Sequence, residues 1–484
     1  VELAALLTEL DLPAPLGPPS WPVPLIRAVA GDRSVTITSV VHDSRTVTPG
    51  SLFCCVRGTH VDGHDLAPAA VASGAVALLA ERELPLPVTQ LLVDDTRSAM
   101  GPVAAVFHGR PSESMDVIGV TGTNGKTTVT QLLGAIFEYV GSPTSVLGTL
   151  SGVRTTPEAP ELQEWLDDRR REGSETVAME VSSHALAMHR VNGVRFSTAV
   201  FTNLSRDHLD FHGSMDGYFA AKASLFRPEH AIGAVVNVDD PYGRVLRDMA
   251  TIDVVGYSLA DVTDLQLGPS SSRFTWRGHP VELALPGRFN VANALAAAET
   301  AVASAVDPAG VAAALSRPIV IPGRFERIDE GQPFTVVVDF AHTPDGLEQL
   351  LRSARELIDP ARRVHVVFGC GGDRDATKRA PMGEVAAHLA DRVVLTADNS
   401  RGEPTGAIIA AIREGYDRAV DRHATELVVE PDRRAAIGVA IAAAVPGDIV
   451  LIAGKGHEAT QTVGDSVTPF DDRRVVAELL RATA

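Results

Sequence analysis

The chain has 484 residues, 45% hydrophobic and 21% charged, a balance that suits folded globular proteins and excludes a disordered chain. A formal net charge of −18 with no run of Lys and Arg argues against nucleic acid as a partner. Three cysteines, two of them the adjacent Cys54 and Cys55, match neither a disulfide framework nor zinc spacing, so a reducing, cytoplasmic setting is expected.

Length alone sets an expectation of about three domains at roughly 150 residues each. The N-terminus carries Glu2, Glu9 and Asp11 in place of a basic leader, and Pro13, Pro15, Pro18 and Pro19 interrupt the apolar stretch behind it, so no signal peptide is expected. Short β-branched segments at 35–41, 75–79 and 91–93 alternate with loops and predict a small α/β domain. An apolar strand at 115–120 then runs into a loop rich in Gly and Thr, followed by a helical pattern over 126–140. Further strands are expected at 176–181, 198–203 and 234–238 with helical segments between them, which implies a largely parallel sheet. After Pro322-Gly323-Arg324 a second α/β series begins, with strands at 335–339, 364–368, 392–395, 426–429 and 449–453. The expected boundaries are 1–93, 94–322 and 323–484, the last a Rossmann-like unit. The apolar run 435–445 stops at Pro446-Gly447-Asp448, short of the roughly 20 residues of a membrane helix, so no membrane partner is expected.

The loop Gly119-Val120-Thr121-Gly122-Thr123-Asn124-Gly125-Lys126-Thr127-Thr128 lies between a strand and a helix, where backbone N–H groups can surround phosphate oxygens. Lys126 is placed to reach β and γ phosphates and Thr127 to hold Mg²⁺. Val120 stands where the strict Walker pattern has Gly. No guanine-reading Asn-Lys-x-Asp follows, which disfavours a switch GTPase.

The octet from Thr121 to Thr128 resembles the ATP loop of the Mur ligase family and of the related folylpolyglutamate synthetases. Two further segments carry the same resemblance: Met179-Glu180-Val181-Ser182-Ser183-His184 and Thr202-Asn203-Leu204-Ser205-Arg206-Asp207-His208. Taken by themselves, Glu180 reads as a solvated loop carboxylate, His208 as a capping histidine and Lys222 as a lysine that snorkels to water. The resemblance implies more: Glu180 and His208 as Mg²⁺ ligands beside Thr127, and Lys222 carbamylated to an anion that supports the metal. Carbamylation requires a neutral amine to meet CO₂, which burial favours by lowering the lysine pKa. Lys126, Lys222, His208 and Glu180 are then the catalytic set, and Gly122, Thr123, Asn124, Gly125, Thr127, Thr128, Asn293, Arg324 and Asp339 join Lys126 in holding ATP.

The resemblance extends over nearly the whole chain. Asp43-Ser44-Arg45 and Asp62-Gly63-His64-Asp65 look like a UDP-binding module, with Ser44 as a contact. Thr155, Thr156, Ser182 and Arg190 match positions that hold a muramoyl dipeptide, whereas Met188 stands where some members have Gln. The acceptor motif is Asp398-Asn399-Ser400-Arg401, against the Asp-Asn-Pro-Arg of members that use diaminopimelate, and Arg374, Gly454 and Glu458 match the other acceptor contacts. The implied protein is a monomeric, three-domain ATP-dependent amide ligase that adds meso-2,6-diaminopimelate to UDP-N-acetylmuramoyl-L-alanyl-D-glutamate through an acyl phosphate, in peptidoglycan precursor synthesis. The alternatives are the same ligase with L-lysine or another diamino acid, a folylpolyglutamate synthetase-like ligase, and a non-catalytic UDP-peptide-binding protein.

Overall fold

The computed structural model describes residues 1–11, 25–152 and 154–483, so Pro13, Pro15, Pro18 and Pro19 lie outside the described residues. Three α/β units follow one another along the chain. The first sheet runs in the order Ala28–Ala30, Thr89–Leu92, Ala77–Ala80, Ser51–Cys54, Ser39–Val41, all parallel except the edge strand Ala28–Ala30. Its core takes in Ala99, Met100 and Val103 of the helix Thr96–Phe107. That helix lies beyond the expected boundary at 93, and Asp95 caps it by accepting from the backbone N–H of Arg97 and Ser98.

The central sheet has six parallel strands in the order Asp253–Tyr257, Ala231–Asn237, Phe196–Phe201, Asp116–Thr121, Thr176–Glu180, Thr144–Leu147. The strand Asp116–Thr121 is the turning point, with later strands leaving on both of its sides, and ligands of open α/β sheets gather at the C-terminal ends beside such a point. Helices Lys126–Tyr139 and Arg288–Ala303 bury Leu132, Leu133, Val291 and Leu295 against one face, which is why these strands read as nearly continuous apolar runs.

A three-stranded antiparallel sheet, Val262–Leu267, Ser272–Trp276 and His279–Leu283, has no counterpart in the sequence reading. Its strands are exposed on one face; Phe274, Trp276, Val281 and Leu283 are buried on the other, with Val262, Leu265 and Leu267 partly buried beside them, and that thin alternation hides between charged residues. The third α/β sheet follows the order Glu326–Ile328, Thr335–Asp339, Ile449–Ala453, Val364–Phe368, Arg392–Leu395, Glu426–Val429, and its five parallel strands coincide with those expected. A separate hairpin, Thr460–Val463 with Ser466–Pro469, folds back over its C-terminal edge.

Helices Arg379–Leu389 and Thr405–Arg418 of this third unit cross at near backbone contact. A Cβ on Gly383 would lie 2.0 Å from the carbonyl oxygen of Ile412, and one on Gly415 would lie 1.8 Å from that of Ala380. Neither neighbour is a movable side chain. Gly415→Ala is therefore expected to lower stability by about 1–3 kcal/mol through forced separation of the helices, read as a lower urea midpoint, whereas Gly406→Ala in the same helix, with open space around its Cα, should leave that midpoint unchanged.

Candidate functional site

The loop after Asp116–Thr121 turns at Gly122, where a Cβ would sit 1.8 Å from Thr202 Oγ1, and enters the next helix through Gly125 at φ 88° with Asn293 Oδ1 packed where a Cβ would go. Only glycine fits either position. Thr123 accepts from Ser205 N–H at 3.0 Å and shares a hydrogen bond with Tyr218 Oη at 3.2 Å, and Asn124 N–H donates to Asn203 Oδ1 at 2.9 Å, so the loop is held from the next strand's end. Thr128 is buried on the following turn.

Two lysines meet at this loop. Lys126 Nζ donates to the carbonyls of Gly122 and Thr123 at 2.8 and 2.9 Å, and Lys222 Nζ donates to the same Gly122 carbonyl at 2.8 Å. Lys222 is 1% exposed, lies 4.7 Å from the Tyr218 ring centre, and has no carboxylate at ion-pair distance among the described residues. Burial first, and the charge of Lys126 second, push Lys222 well below the ordinary lysine value of 10.5. The sequence's alternative of a lysine that snorkels does not hold, because the helix Met215–Ala223 turns this side chain inward.

Glu180, at the end of its strand, is 1% exposed and fully engaged. It accepts from Thr127 Oγ1 at 3.0 Å, from Thr149 N–H at 2.8 Å and from Thr149 Oγ1 at 3.1 Å. Arg324, from the third unit, donates to Thr127 Oγ1 at 2.9 Å with its guanidinium 4.4 Å from the Phe340 ring centre. Thr127 and Glu180 thus form a pair of hard oxygen donors at the mouth of the loop. Among the described residues no three His, Cys, Asp or Glu side chains converge as a ready cation site. That pattern fits Mg²⁺, which takes one or two protein oxygens and completes its shell with phosphate and water.

His208 sits at φ 53° on the cap of the short helix Leu209–His212, with Nε2 3.3 Å from Asp207 Oδ2 and its ring 4.7 Å from that of His184. Burial drives His208 down to about 3. Burial opposes charge on Asp207, but His342, His208 and Lys378 together hold its carboxyl below the usual range. His208 is therefore kept neutral beside an anion.

Along the adjoining rim, Thr156 Oγ1 donates to the Glu180 carbonyl at 2.9 Å and accepts from Ser182 N–H at 3.2 Å, and Thr155 Oγ1 lies 3.2 Å from Thr149 Oγ1. Ser182 Oγ caps the next helix by accepting from Ala185 N–H at 3.1 Å. Arg190 donates to the Thr156 carbonyl at 3.3 Å and pairs with Glu158 at 2.9 Å, and Met188 takes only a weak 3.5 Å contact from it. Arg97 and Arg154 reach the same Glu158 at 3.3 and 3.1 Å. Three guanidiniums around one carboxylate leave an excess positive charge suited to an anionic substrate. Sequence reasoning missed Arg97 and Glu158, though Glu158 directly follows the Thr155-Thr156-Pro157 stretch. Ser44 lies apart from this cluster, in the turn Ser44–Thr46 capped by Asp43.

At the C-terminal ends of the third sheet a second cluster forms. Glu458 Oε2 accepts from Asn399 Nδ2 at 2.7 Å and from the buried Lys455 Nζ at 3.1 Å, while Lys455 also donates to the Thr460 carbonyl at 2.7 Å. Asp398 Oδ2 packs where a Cβ on Gly454 would lie, at 2.6 Å. Arg401, at φ 49°, donates to the Gly372 carbonyl at 2.8 Å and has no carboxylate partner among the described residues. Ser400, in the place of proline, is fully buried with Oγ 2.7 Å from Thr405 Oγ1. Arg374 is exposed. The oxygens of Asp339 accept from Phe325 and Ala341 N–H at 2.7 and 2.8 Å, bracing the crossing into the third unit. Burial raises its pKa.

The buried Lys222 gives a measurable consequence. The unfolded chain keeps a proton on this amine up to about pH 10.5 and the folded chain gives it up at lower pH, so folding stability gains with pH through that window. In CO₂-free buffer, Lys222→Met should flatten the rise of melting temperature with pH and hold or raise stability near neutrality, since it removes a buried cation without an anionic partner. A large loss of stability in that variant would contradict this account.

The description "Mur ligase family, catalytic domain" matches residues 36–108, "Mur ligase middle domain" residues 120–301, and "Mur ligase, glutamate ligase domain" residues 323–456. The chain is 46% identical over 468 residues to the UDP-N-acetylmuramoyl-L-alanyl-D-glutamate–2,6-diaminopimelate ligase of Syntrophomonas wolfei, covering 92% of this chain and 95% of the relative. It is 44% identical over 480 residues to the protein of the same name from Streptomyces coelicolor, covering 94% of each. A solved structure of a ligase of that name superposes with a TM-score of 0.66 at 32% identity, over 94% of this chain and 96% of the other. Identity at this level over nearly the full length, together with the loop, the Glu180–Thr127 pair and three successive α/β units, shows that the chain belongs to the Mur ligase family and is an ATP-dependent ligase.

Proposed function

We propose that this ligase joins meso-2,6-diaminopimelate to the D-glutamyl carboxylate of UDP-N-acetylmuramoyl-L-alanyl-D-glutamate, a step in peptidoglycan precursor synthesis and hence in cell-wall growth, shape and division. The relatives just described bear that activity in their names. The single observation that carries the acceptor assignment is the cluster at the third sheet's edge. There Arg401 offers a guanidinium without a carboxylate partner, near Asp398 and Glu458, which offer negative charge. The distal end of diaminopimelate bears both a carboxylate and an ammonium, whereas lysine bears only the ammonium. A bidentate guanidinium–carboxylate contact in such a pocket discriminates strongly between the two. Arg374, Asn399 and Gly454 complete the acceptor contacts in this reading.

The three units divide the work. Ser44 and the first sheet take the UDP end, Thr155, Thr156, Ser182 and Arg190 hold the dipeptide, and the loop from Gly122 to Thr128, with Asn293 and Arg324, holds ATP. Thr127 and Glu180 would hold one Mg²⁺, and His208 with carbamylated Lys222 would support a second; the metal would supply charge compensation for the phosphates. Lys126 releases its loop carbonyls and turns to the phosphate oxygens. A carboxylate oxygen of the substrate forms a bond to the γ-phosphorus as the bond to ADP breaks. The acceptor amine, having lost its proton, then attacks the acyl carbon, and phosphate departs with the C–O electron pair. Catalysis here is positioning and electrostatics. We place the reaction in the cytoplasm and the enzyme as a monomer. No helix among the described residues is long and apolar enough to cross a membrane.

Two experiments test this reading. In assays of phosphate release with the UDP-dipeptide, meso-diaminopimelate should outperform lysine and ornithine, and Arg401→Ala should raise the KM for diaminopimelate by about 100-fold or more while the KM values for ATP and UDP-dipeptide barely change. Preference for lysine with Arg401 intact would overturn the acceptor assignment. Lys222→Ala should lose most turnover, unrestored by bicarbonate but partly restored by a short carboxylic acid occupying the carbamate's place. A fully active enzyme with an unmodified Lys222 would overturn that role.

A further inference from the structure

The hairpin Thr460–Val463 with Ser466–Pro469 has no part in the reading above. β-Branched residues on both strands and the two-residue turn Gly464-Asp465, with Gly464 at φ 57°, account for its formation. Packing does not account for its place in the fold. Its second strand is exposed throughout, Val463 and Val467 are 47% and 62% exposed, and among the described residues none of 460–469 joins a hydrophobic core. An isolated two-stranded hairpin is marginal in water, so this one depends on what it is tied to.

It is tied to the acceptor loop. Gln461 Nε2 donates to the Asp398 carbonyl at 3.2 Å, Thr462 N–H to Asn399 Oδ1 at 3.0 Å and Gly464 N–H to the Arg401 carbonyl at 2.7 Å, while Arg401 N–H donates to the Thr462 carbonyl at 3.1 Å. The last two bonds make Arg401 and Val463 an isolated parallel bridge. Thr462 therefore turns both its N–H and its carbonyl to the loop. At the hairpin's base the buried Lys455 joins the Thr460 carbonyl, at 2.7 Å, to Asn399 Oδ1 and Glu458 Oε2, at 3.3 and 3.1 Å. Arg401 itself sits at φ 49°, a left-handed conformation that a side chain disfavours and that persists only where the surroundings impose it. The hairpin imposes it by holding both the N–H and the carbonyl of that residue, and the guanidinium then meets the Gly372 carbonyl at 2.8 Å. Released from the hairpin, Arg401 would relax to negative φ and carry its guanidinium elsewhere.

We propose, resting on the acceptor reading above, that the hairpin 460–469 is a strap that determines acceptor specificity: through Thr462 and Gly464 it positions Arg401 and Asn399, and so sets the preference for an amino acid with a distal carboxylate. Thr462 and Gly464 are positioning residues, acting through the side chains of Arg401 and Asn399 and not on the acceptor directly. Lysine, with no carboxylate for Arg401 to meet, is the acceptor that gains least from the strap.

Two variants of the full chain test this. One replaces residues 460–469 by Asn-Gly, a turn that suits the existing bond from Phe470 N–H to the Ala459 carbonyl at 2.9 Å. The other, Thr462→Pro, removes only the N–H that Asn399 accepts, and serves alone if the shortened chain fails to fold. In either variant the ratio of kcat/KM for meso-diaminopimelate to that for lysine should fall at least about tenfold, through a higher KM for diaminopimelate, while the KM values for ATP and UDP-dipeptide stay within about threefold. In the shortened chain, amide hydrogen exchange over 398–402, read by mass spectrometry, should quicken at least about tenfold, because Arg401 N–H loses its acceptor. Val467→Thr, on the far strand, should change neither readout. An acceptor ratio within about threefold of the parent's, or KM values rising alike for all three substrates, would overturn the proposal. A parent enzyme that prefers lysine would instead count against the acceptor reading, and the exchange measurement would still decide whether the hairpin holds Arg401.

Discussion

The carbonyl of Gly122 accepts from two ammonium groups at once, Lys126 and Lys222, each at 2.8 Å, with no carboxylate bonded to either. Two like charges on one neutral acceptor in a buried setting are stable only if one is discharged or an anion arrives, and the rest of the site is arranged around that tension. Lys222 is the buried one, and burial pushes its pKa well below the ordinary lysine value. Lys126 is half-buried at the helix entrance, where the helix N-terminus favours anions. The glycine itself is required by the backbone, since a side chain at 122 would collide with Thr202.

The same loop also records where the third unit sits. Asn124 Nδ2 and Ser205 Oγ both donate to Asp345 Oδ2, at 2.9 and 3.1 Å, and Arg324 reaches back to Thr127. A Cβ on Gly323 would lie 2.1 Å from His457 N, so the crossing segment lies directly on the loop that follows the strand Ile449–Ala453. Nucleotide-side and acceptor-side loops are thereby held to one geometry by a few polar contacts, most of them made by residues that carry chemistry. Such contacts are few, in the manner of interfaces between domains of one chain.

Behind the acceptor loops the support is more rigid. Arg433, fully buried, pairs with Asp472 at 2.7 Å and donates to the carbonyls of Ala397 and Ala453, at 3.2 and 3.0 Å, immediately before Asp398 and Gly454. A buried, bidentate pair of this kind contributes little net stability but fixes the register of the groups it holds. The carboxylate at 398 and the turn at 454 are accordingly set by a side chain 35 and 21 residues away in sequence.

What the sequence by itself determined is whatever depends on local order. The strand-loop-helix around Lys126, the five parallel strands of the third unit and the pairing of chemistry-bearing motifs with strand ends are written in apolar runs and glycines, because parallel strands buried on both faces have a continuous apolar signature and phosphate loops need glycine at fixed positions. The antiparallel sheet 262–283 escaped notice because its inward residues are few and its outward face is charged. Only the tertiary structure decided which charges meet. That Lys222 is buried on the Gly122 carbonyl, that Arg97 joins Arg190 on Glu158, and that Asp339 braces the Phe325 amide all follow from contacts between residues far apart in the chain. Electrostatics depends on distance and burial in three dimensions, and neither is a property of a motif.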